Sequence, residues 1–190
     1  MSSEIKVNKI TSSSGSSLEF GGAGDTVSVG SGATVSGFGK VLQVVQTTKI
    51  DTFSGAANGT EMSVTGMSAT ITPTSSSSKI MVSAVLNYCA ISTTYGAYFK
   101  RGTTIIGVPA TVGSRQSIAA GLGFTGDGNQ IETGVIEYLD SPATTSGTTY
   151  QLFVNNDNST AIYINRSQFD YNDNRGKRCI STVTLTEIAG

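Results

Sequence analysis

Histidine and tryptophan are absent from this 190-residue sequence, cysteine occurs twice and proline three times. Without histidine, the chain cannot build a histidine-based catalytic triad, and most zinc sites are excluded as well. Asp, Glu, Lys and Arg together make up 13% of the residues, about half the usual share in a globular protein. A surface so poor in charge favours a protein that is covered by neighbouring subunits.

The formal net charge of −1 gives no electrostatic basis for binding nucleic acid or an anionic membrane. No apolar run reaches the length of a signal peptide near the N-terminus or of a membrane span elsewhere. We therefore expect synthesis in a cytoplasm, with no signal peptide and no membrane insertion. Cys89 and Cys179 lack metal-ligand spacing, so we expect two buried small side chains, and their pairing stays open.

Residues 1–39 differ from the rest of the chain, and we predict an N-terminal Gly/Ser-rich anchoring arm or short shaft. Side chains at alternate positions suggest strands that order against other chains, rather than a flexible tail. The isolated apolar side chains of this arm have no core of their own to join, so we assign them to anchoring: Ile5, Val7, Ile10, Leu18 and Phe20. Strand addition to a neighbouring sheet is the expected mechanism.

Residues 40–190 read as one all-β domain, organised around residues 78–91. In that stretch the side chains at even positions from Ile80 to Ala90 are apolar, whereas the odd positions are mixed. This pattern predicts a strand inside a sheet. Several further short strands follow at roughly ten-residue spacing, separated by turn-rich segments. The predicted fold is an antiparallel β-sandwich, jelly-roll-like, with an extended N-terminal strand/turn arm.

Enzymatic and cofactor chemistry finds little support in the sequence. Gly121, Gly123 and Gly126 match a dinucleotide-binding glycine pattern, but the next residues predict a turn and a strand where phosphate binding needs a helix. Glu132 and Glu137 have odd spacing and face opposite sides of one strand, which argues against a paired-carboxylate glycosidase. We therefore predict no enzymatic activity and no cofactor.

The segment DYNDNRGKR (170–178) is the candidate recognition loop. Asp170, Asn172 and Asn174 have an alternating spacing that could serve calcium, but Asn- and Asp-rich turns usually bond to their own backbone. Tyr171, Asn172 and Arg175 combine an aromatic ring with polar groups, as sugar-binding loops do. The alternative is a loop that forms salt bridges between subunits.

Five segments resemble bacteriophage fibre and virion-surface proteins, particularly those of marine phages. They are SEIKVNKITSSSGSSLEF, GKVLQVVQT, TPTSSSSKIMVSAVLN, EYLDSPATTSGTTYQLFV and STVTLTEIAG. The resemblance implies a trimeric, jelly-roll-like structural protein of the virion, joined to other virion proteins through its N-terminal arm. It also implies a role in adhesion to the host surface, with surface polysaccharide as a possible partner.

Three alternatives stay open. A head decoration protein that stabilises the capsid is compatible with the same segments, because the chain is short for a receptor-binding fibre. A polysaccharide-degrading tail spike belongs to a different class and requires a pair of carboxylates. A lectin-like module outside any virus would be monomeric in solution.

Overall fold

The computed structural model describes residue 10 and residues 41–156 and 158–190. Contacts divide the chain into two units, residues 1–38 and 39–190, and the account below concerns the second. The anchoring residues Ile5, Val7, Leu18 and Phe20 lie outside the described residues, and Ile10 is described as exposed.

The described residues form β-strands and connections, with no helix among them. The strands, numbered in chain order, are β1 (Val41–Lys49), β2 (Phe53–Gly55), β3 (Glu61–Ile71), β4 (Lys79–Cys89), β5 (Tyr95–Arg101), β6 (Thr104–Ile106), β7 (Ala120–Leu122), β8 (Glu132–Asp140), β9 (Thr148–Asn155), β10 (Ile162–Ile164) and β11 (Ser181–Ile188). All of their pairings are antiparallel, which confirms the predicted fold class.

Strand β4 is the central strand of the first sheet, as its sequence pattern predicts. It pairs along one edge with β8 and along the other with β11, then with β10 near its end. The even-numbered side chains from Ile80 to Ala90 are all buried, and Val85 on the opposite face is exposed. A strand paired on both edges must bury one face completely, and an alternating apolar pattern does this.

Two sheets form the sandwich. Sheet 1 has the order β1-β11-β4-β8, with β10 beside the end of β4 and β2 beside β10. Sheet 2 has the order β3-β9-β5, and β5 also pairs with β6 and β7. The core between them is one cluster of buried side chains, largely Ile, Leu, Val, Ala and Tyr.

The pairing order is that of a jelly roll. The first long strand pairs with the last (β1 with β11), the next with the one before it (β3 with β9), then β4 with β8 and β5 with β6 and β7. A hairpin rolled up along its length produces this nested order and two sheets. The short strands β2 and β10 are additions within two of the connections.

Some strands are shorter than the sequence suggests. The apolar segments around residues 115–124 and 160–171 each contribute a strand of three residues, Ala120–Leu122 and Ile162–Ile164. No pattern in the sequence predicts β2, because three residues are too few for a periodic pattern. Cys89 is buried as expected, whereas Cys179 is partly exposed, and both thiols are free.

Candidate functional site

The connections that follow β1, β4, β7 and β9 lie together at one end of the sandwich. Alternate connections of a jelly roll fall at the same end, because each strand runs the length of the sandwich. Backbone hydrogen bonds join these connections to one another: Gly59 N to Asn156 O (2.9 Å), Thr125 N to Ala90 O (2.6 Å) and Gln168 N to Gly128 O (2.9 Å). We call this cross-braced end the loop end. Connections held in this way can position functional side chains.

Asn165 fixes the start of the longest connection of the loop end. Its φ of 62° lies in the left-handed region, which Asn tolerates better than most residues. Its buried side chain donates to the carbonyls of Lys49 and Asp51, both at 2.9 Å, and accepts a 2.6 Å bond from the Ser181 hydroxyl. The side chain thereby ties the ends of β1, β10 and β11 together.

Beyond Asn165, the recognition loop is held by ion pairs within the chain. Asp170 accepts Arg178 at 2.8 Å and lies 3.6 Å from Arg166. Asp173 receives a forked contact from Arg175, with Nη2 at 2.6 Å from Oδ2. The guanidinium of Arg175 holds the pKa of the Asp173 carboxyl below its usual value.

Tyr171 is the centre of an exposed stack in the same loop. The Arg175 guanidinium lies 4.1 Å from the centroid of the Tyr171 ring, and the Phe169 ring is 5.7 Å away, centroid to centroid. Phe169 and Tyr171 stay exposed despite these contacts. Exposed aromatic rings with fixed orientation can stack on the apolar face of a ligand at low entropic cost.

The recognition loop encloses a shallow cleft of about 500 Å³ lined by Tyr171, Asn172 and the two loop aspartates. Of the predicted recognition residues, Tyr171 and Asn172 line the cleft, and Arg175 lies against Tyr171. The three residues therefore lie together. The loop bends tightly here, since a side chain on Gly176 would overlap the carbonyl of Tyr171.

The residues considered for metal binding, phosphate binding and glycoside hydrolysis are placed as follows. Among the described residues, no group of three or more Cys, Asp or Glu side chains is placed to hold a metal ion. Gly121 lies in β7, and the segment from there to β8 is strand, turn and strand, without the helix that phosphate binding needs. In β8, Glu132 lies opposite the buried Tyr88 and Glu137 opposite Ser83, so the two carboxylates face opposite sides.

A second cleft at the loop end was not anticipated from the sequence. It has a volume of about 570 Å³ and lies beside Gly96, between the β4–β5 connection and the segment before β7. Asn156, at the end of β9, is part of its lining. Its only signal in the sequence is the Asn-rich segment 155–158, which is equally typical of an ordinary turn.

Among the described residues, no helix is long and apolar enough to cross a membrane.

Distant structural neighbours of the chain include two structures from one virus. No protein-family model matches the chain, and no curated protein is similar to it. One neighbour is the D431N mutant VP2 protein of infectious bursal disease virus in derived T=1 particles, with 16% identity over 77% of this chain and a TM-score of 0.40. The other is the structure of the Gx strain of the same virus, with 15% identity over 77% of this chain and a TM-score of 0.39.

The chain spans about a third of the length of these neighbours, 36% and 37%. Both neighbours are structures from a virus. At these TM-scores, neither of them identifies a partner or an activity for this chain.

Proposed function

We propose that this chain is a non-enzymatic structural protein of a virus particle, located in the virion. In detail, we propose a homotrimeric bacteriophage fibre protein, attached to other virion proteins through residues 1–39 and involved in adhesion to the host surface. Support comes from the five segments that resemble phage fibre proteins and from a low-charge jelly roll. Jelly rolls are common in viral capsids, although the same fold also serves lectins.

The observation that carries the proposal is the outer face of sheet 1. Register places Val44, Thr186, Met81 and Leu139 in one row across its four long strands and Thr48, Thr182, Val85 and Val135 in another, so five of these eight side chains are apolar. Val44, Val85, Val135 and Leu139 are between 40% and 59% exposed. The row between them consists of Gln46, Thr184, Ser83 and Glu137.

The occupant of this face is a second copy of the chain. Glu137 is the one charged side chain in the three rows, so little charge is buried when three copies turn this face toward a common three-fold axis. Apolar side chains exposed side by side on a flat sheet mark an interaction surface. A chain with 13% charged residues has few other means of staying dispersed as a monomer.

Size-exclusion chromatography with light scattering tests this assembly on the full chain. We expect a trimer for the wild type, loss of the trimer in Val135→Glu, and retention in Val112→Glu, an equally exposed valine on a loop away from this face. The glutamate would bury an unpaired charge at the interface, at a cost of about 3 kcal/mol or more. A monomeric wild type, with circular dichroism showing native β-structure, would overturn the proposal.

Attachment and adhesion are tested separately. Deleting residues 1–20 is expected to leave a folded trimer that is not incorporated into particles, and normal incorporation would contradict the anchoring role. Tyr171→Ala with Arg175→Ala is expected to abolish adsorption to host cells while the trimer stays intact. Dissociation of that double variant would instead assign the loop to a subunit interface.

The absence of enzymatic activity is a proposal with its own assay. Its support is that Glu132 and Glu137 face opposite sides of β8, and that Asp170 and Asp173 are each paired with an arginine. A glycosidase needs two carboxyl groups about 5–10 Å apart facing one substrate bond. Release of reducing ends from host surface polysaccharide would refute the proposal.

A further inference from the structure

The second cleft contains a polar group that lacks a partner. Asn156 is 2% exposed, and its Nδ2 donates to Asn158 Oδ1 at 3.1 Å and to Thr160 O at 3.3 Å. Its Oδ1 accepts no hydrogen bond from the described residues, and neither does Oδ1 of the adjacent Asn155. A buried acceptor without a donor costs about 1–3 kcal/mol, so two in succession call for an explanation.

The backbone of sheet 2 makes room for the amide of Asn155. Asn155 pairs with Gly96 across the ladder between β9 and β5. A β-carbon on Gly96 would overlap Oδ1 of Asn155 and Cγ2 of Ile118. The missing side chain therefore lets Ile118 and the amide of Asn155 lie over the strand. Gly96 and Ile118 both line the cleft, so this close packing forms its wall.

The rim of the cleft carries hydrogen-bonding groups and one cation. Thr93, Thr94, Ser114 and Gln116 line it together with Arg115. The Arg115 guanidinium has one long hydrogen bond, 3.4 Å to the carbonyl of Val112, and no carboxylate of the described residues lies within salt-bridge distance. The guanidinium is exposed and retains most of its five donors.

These groups define the ligand by complementarity. Of the two asparagines only Asn156 lines the cleft, and Arg115 repels an ammonium ion, so hydroxyl or amide groups on a neutral or anionic molecule are the donors that fit the Asn156 oxygen. The guanidinium favours a carboxylate, which it can bind through two parallel hydrogen bonds. A cleft of about 570 Å³ is in the range of small-molecule sites and has room for a sugar ring.

We propose that the cleft beside Gly96 binds an acidic sugar, with ring hydroxyls directed at Asn156 and the carboxylate at Arg115. This site is separate from the recognition loop around Tyr171. It does not depend on the chain being a virion protein, because the isolated chain is expected to bind the sugar.

Ligand-observed NMR on the full chain tests the proposal with glucuronate, glucose and acetate as probes. We expect saturable binding of glucuronate, at least tenfold weaker binding of glucose, and at least tenfold weaker binding of acetate. Equal binding of acetate would overturn the proposal by reducing the site to an anion contact. Equal binding of glucose would show that the carboxylate does not bind to Arg115 and would overturn the proposal as well.

Two variants locate the binding. Arg115→Ala removes an exposed side chain and is expected to weaken glucuronate binding at least tenfold without unfolding the chain. Arg178→Ala, a change of an exposed arginine that lines the other cleft, is expected to leave binding unchanged. The reverse result would place the sugar in the recognition loop and overturn the proposal, and no saturable binding of glucuronate at tens of millimolar would do the same.

Discussion

Glu187 in β11 is expected to stabilise the fold through a buried, ionised carboxylate. The side chain is fully buried, and it accepts hydrogen bonds from Gln43 Nε2 at 2.6 Å and from the backbone nitrogen and hydroxyl of Thr74, both at 2.7 Å. Gln43 also donates to the carbonyl of Thr72 at 2.7 Å. The carboxylate thus connects β1 and β11 with the connection between β3 and β4.

The pKa of Glu187 gives the size of this contribution. Burial alone would raise the pKa, but the hydrogen bonds from Gln43 and Thr74 outweigh burial and lower it from the ordinary 4.5 to about 2. A carboxyl group with a lowered folded-state pKa stabilises the protein above its unfolded-state pKa, and this stability is lost as the pH falls through the folded-state value. The interval corresponds to about 3 kcal/mol, fully present above about pH 4.5 and absent below about pH 2.

Urea unfolding of wild type and Glu187→Gln at pH 7 and pH 2.5 measures the contribution. At pH 7 the variant is expected to lose about 2–3 kcal/mol, because an amide offers one acceptor where the carboxylate has two and brings a donor toward Gln43 and Thr74. At pH 2.5 the difference should shrink to about 1 kcal/mol or less. Asp127→Asn, a change of an exposed carboxylate on the connection between β7 and β8, serves as the control. Equal losses at both pH values would refute the reasoning.

Three further predictions concern a buried carboxylate, a closely packed glycine and a buried tyrosine. Asp140→Ala is expected to cost about 3 kcal/mol in urea unfolding, because it leaves the Tyr150 hydroxyl and Arg101, each 2.7 Å from the carboxylate, without their partner; a loss below about 1 kcal/mol would contradict this. Gly96→Ala should lower stability by about 1–3 kcal/mol, because the added methyl group overlaps its neighbours. Gly121→Ala is the control and should not lower stability, since Gly121 lies directly across the ladder between β5 and β7 and faces open space. Equal melting temperatures for the two variants would be inconsistent with the close packing at Gly96. Burial and Glu132 raise the pKa of Tyr88 to about 12, so the tyrosine of the unfolded chain ionises first and stability should fall as the pH rises from 10 to 12. In chemical unfolding, Tyr88→Phe should show a shallower fall. An unchanged slope in that variant would argue against the contribution of Tyr88.

The strands that the sequence predicts best are those whose environment repeats with a period of two. Residues 78–91 are the main example, because every second side chain of β4 lies in the core. The same alternation predicts burial of Glu187, which shares its face of β11 with Val183 and Leu185 and is buried with them. From the sequence alone, however, a glutamate in that position indicates the exposed end of a strand. Its hydrogen-bond partner Thr74 is 113 residues away, so the sequence does not reveal what would make its burial favourable.

The candidate sites show a similar division. The placement of the candidate recognition residues side by side follows from the sequence, because Tyr171, Asn172 and Arg175 lie within five residues of one another; their role in recognition stays a prediction. The second cleft could not be predicted, since Gly96, Arg115 and Asn156 come from three separate segments that the pairing of β5 with both β9 and β7 brings together. An exposed arginine and an Asn-rich turn have no distinctive spacing before the sheet is formed.

The two surfaces proposed here are compatible in one assembly. The proposed self-association uses the outer face of sheet 1, whereas Gly96 and Asn155 belong to the outer side of sheet 2, because their neighbours Ala97 and Val154 point into the core. A copy bound to sheet 1 therefore leaves the second cleft open. A shallow cleft with a few hydrogen bonds binds one sugar weakly, but three linked copies can engage a repeating polymer together and raise the apparent affinity by about 10²–10⁴. Under this arrangement, Val135→Glu should weaken binding to a polymeric acidic polysaccharide far more than binding to glucuronate. A parallel loss for polymer and monosaccharide would show that the interface and the cleft are not independent.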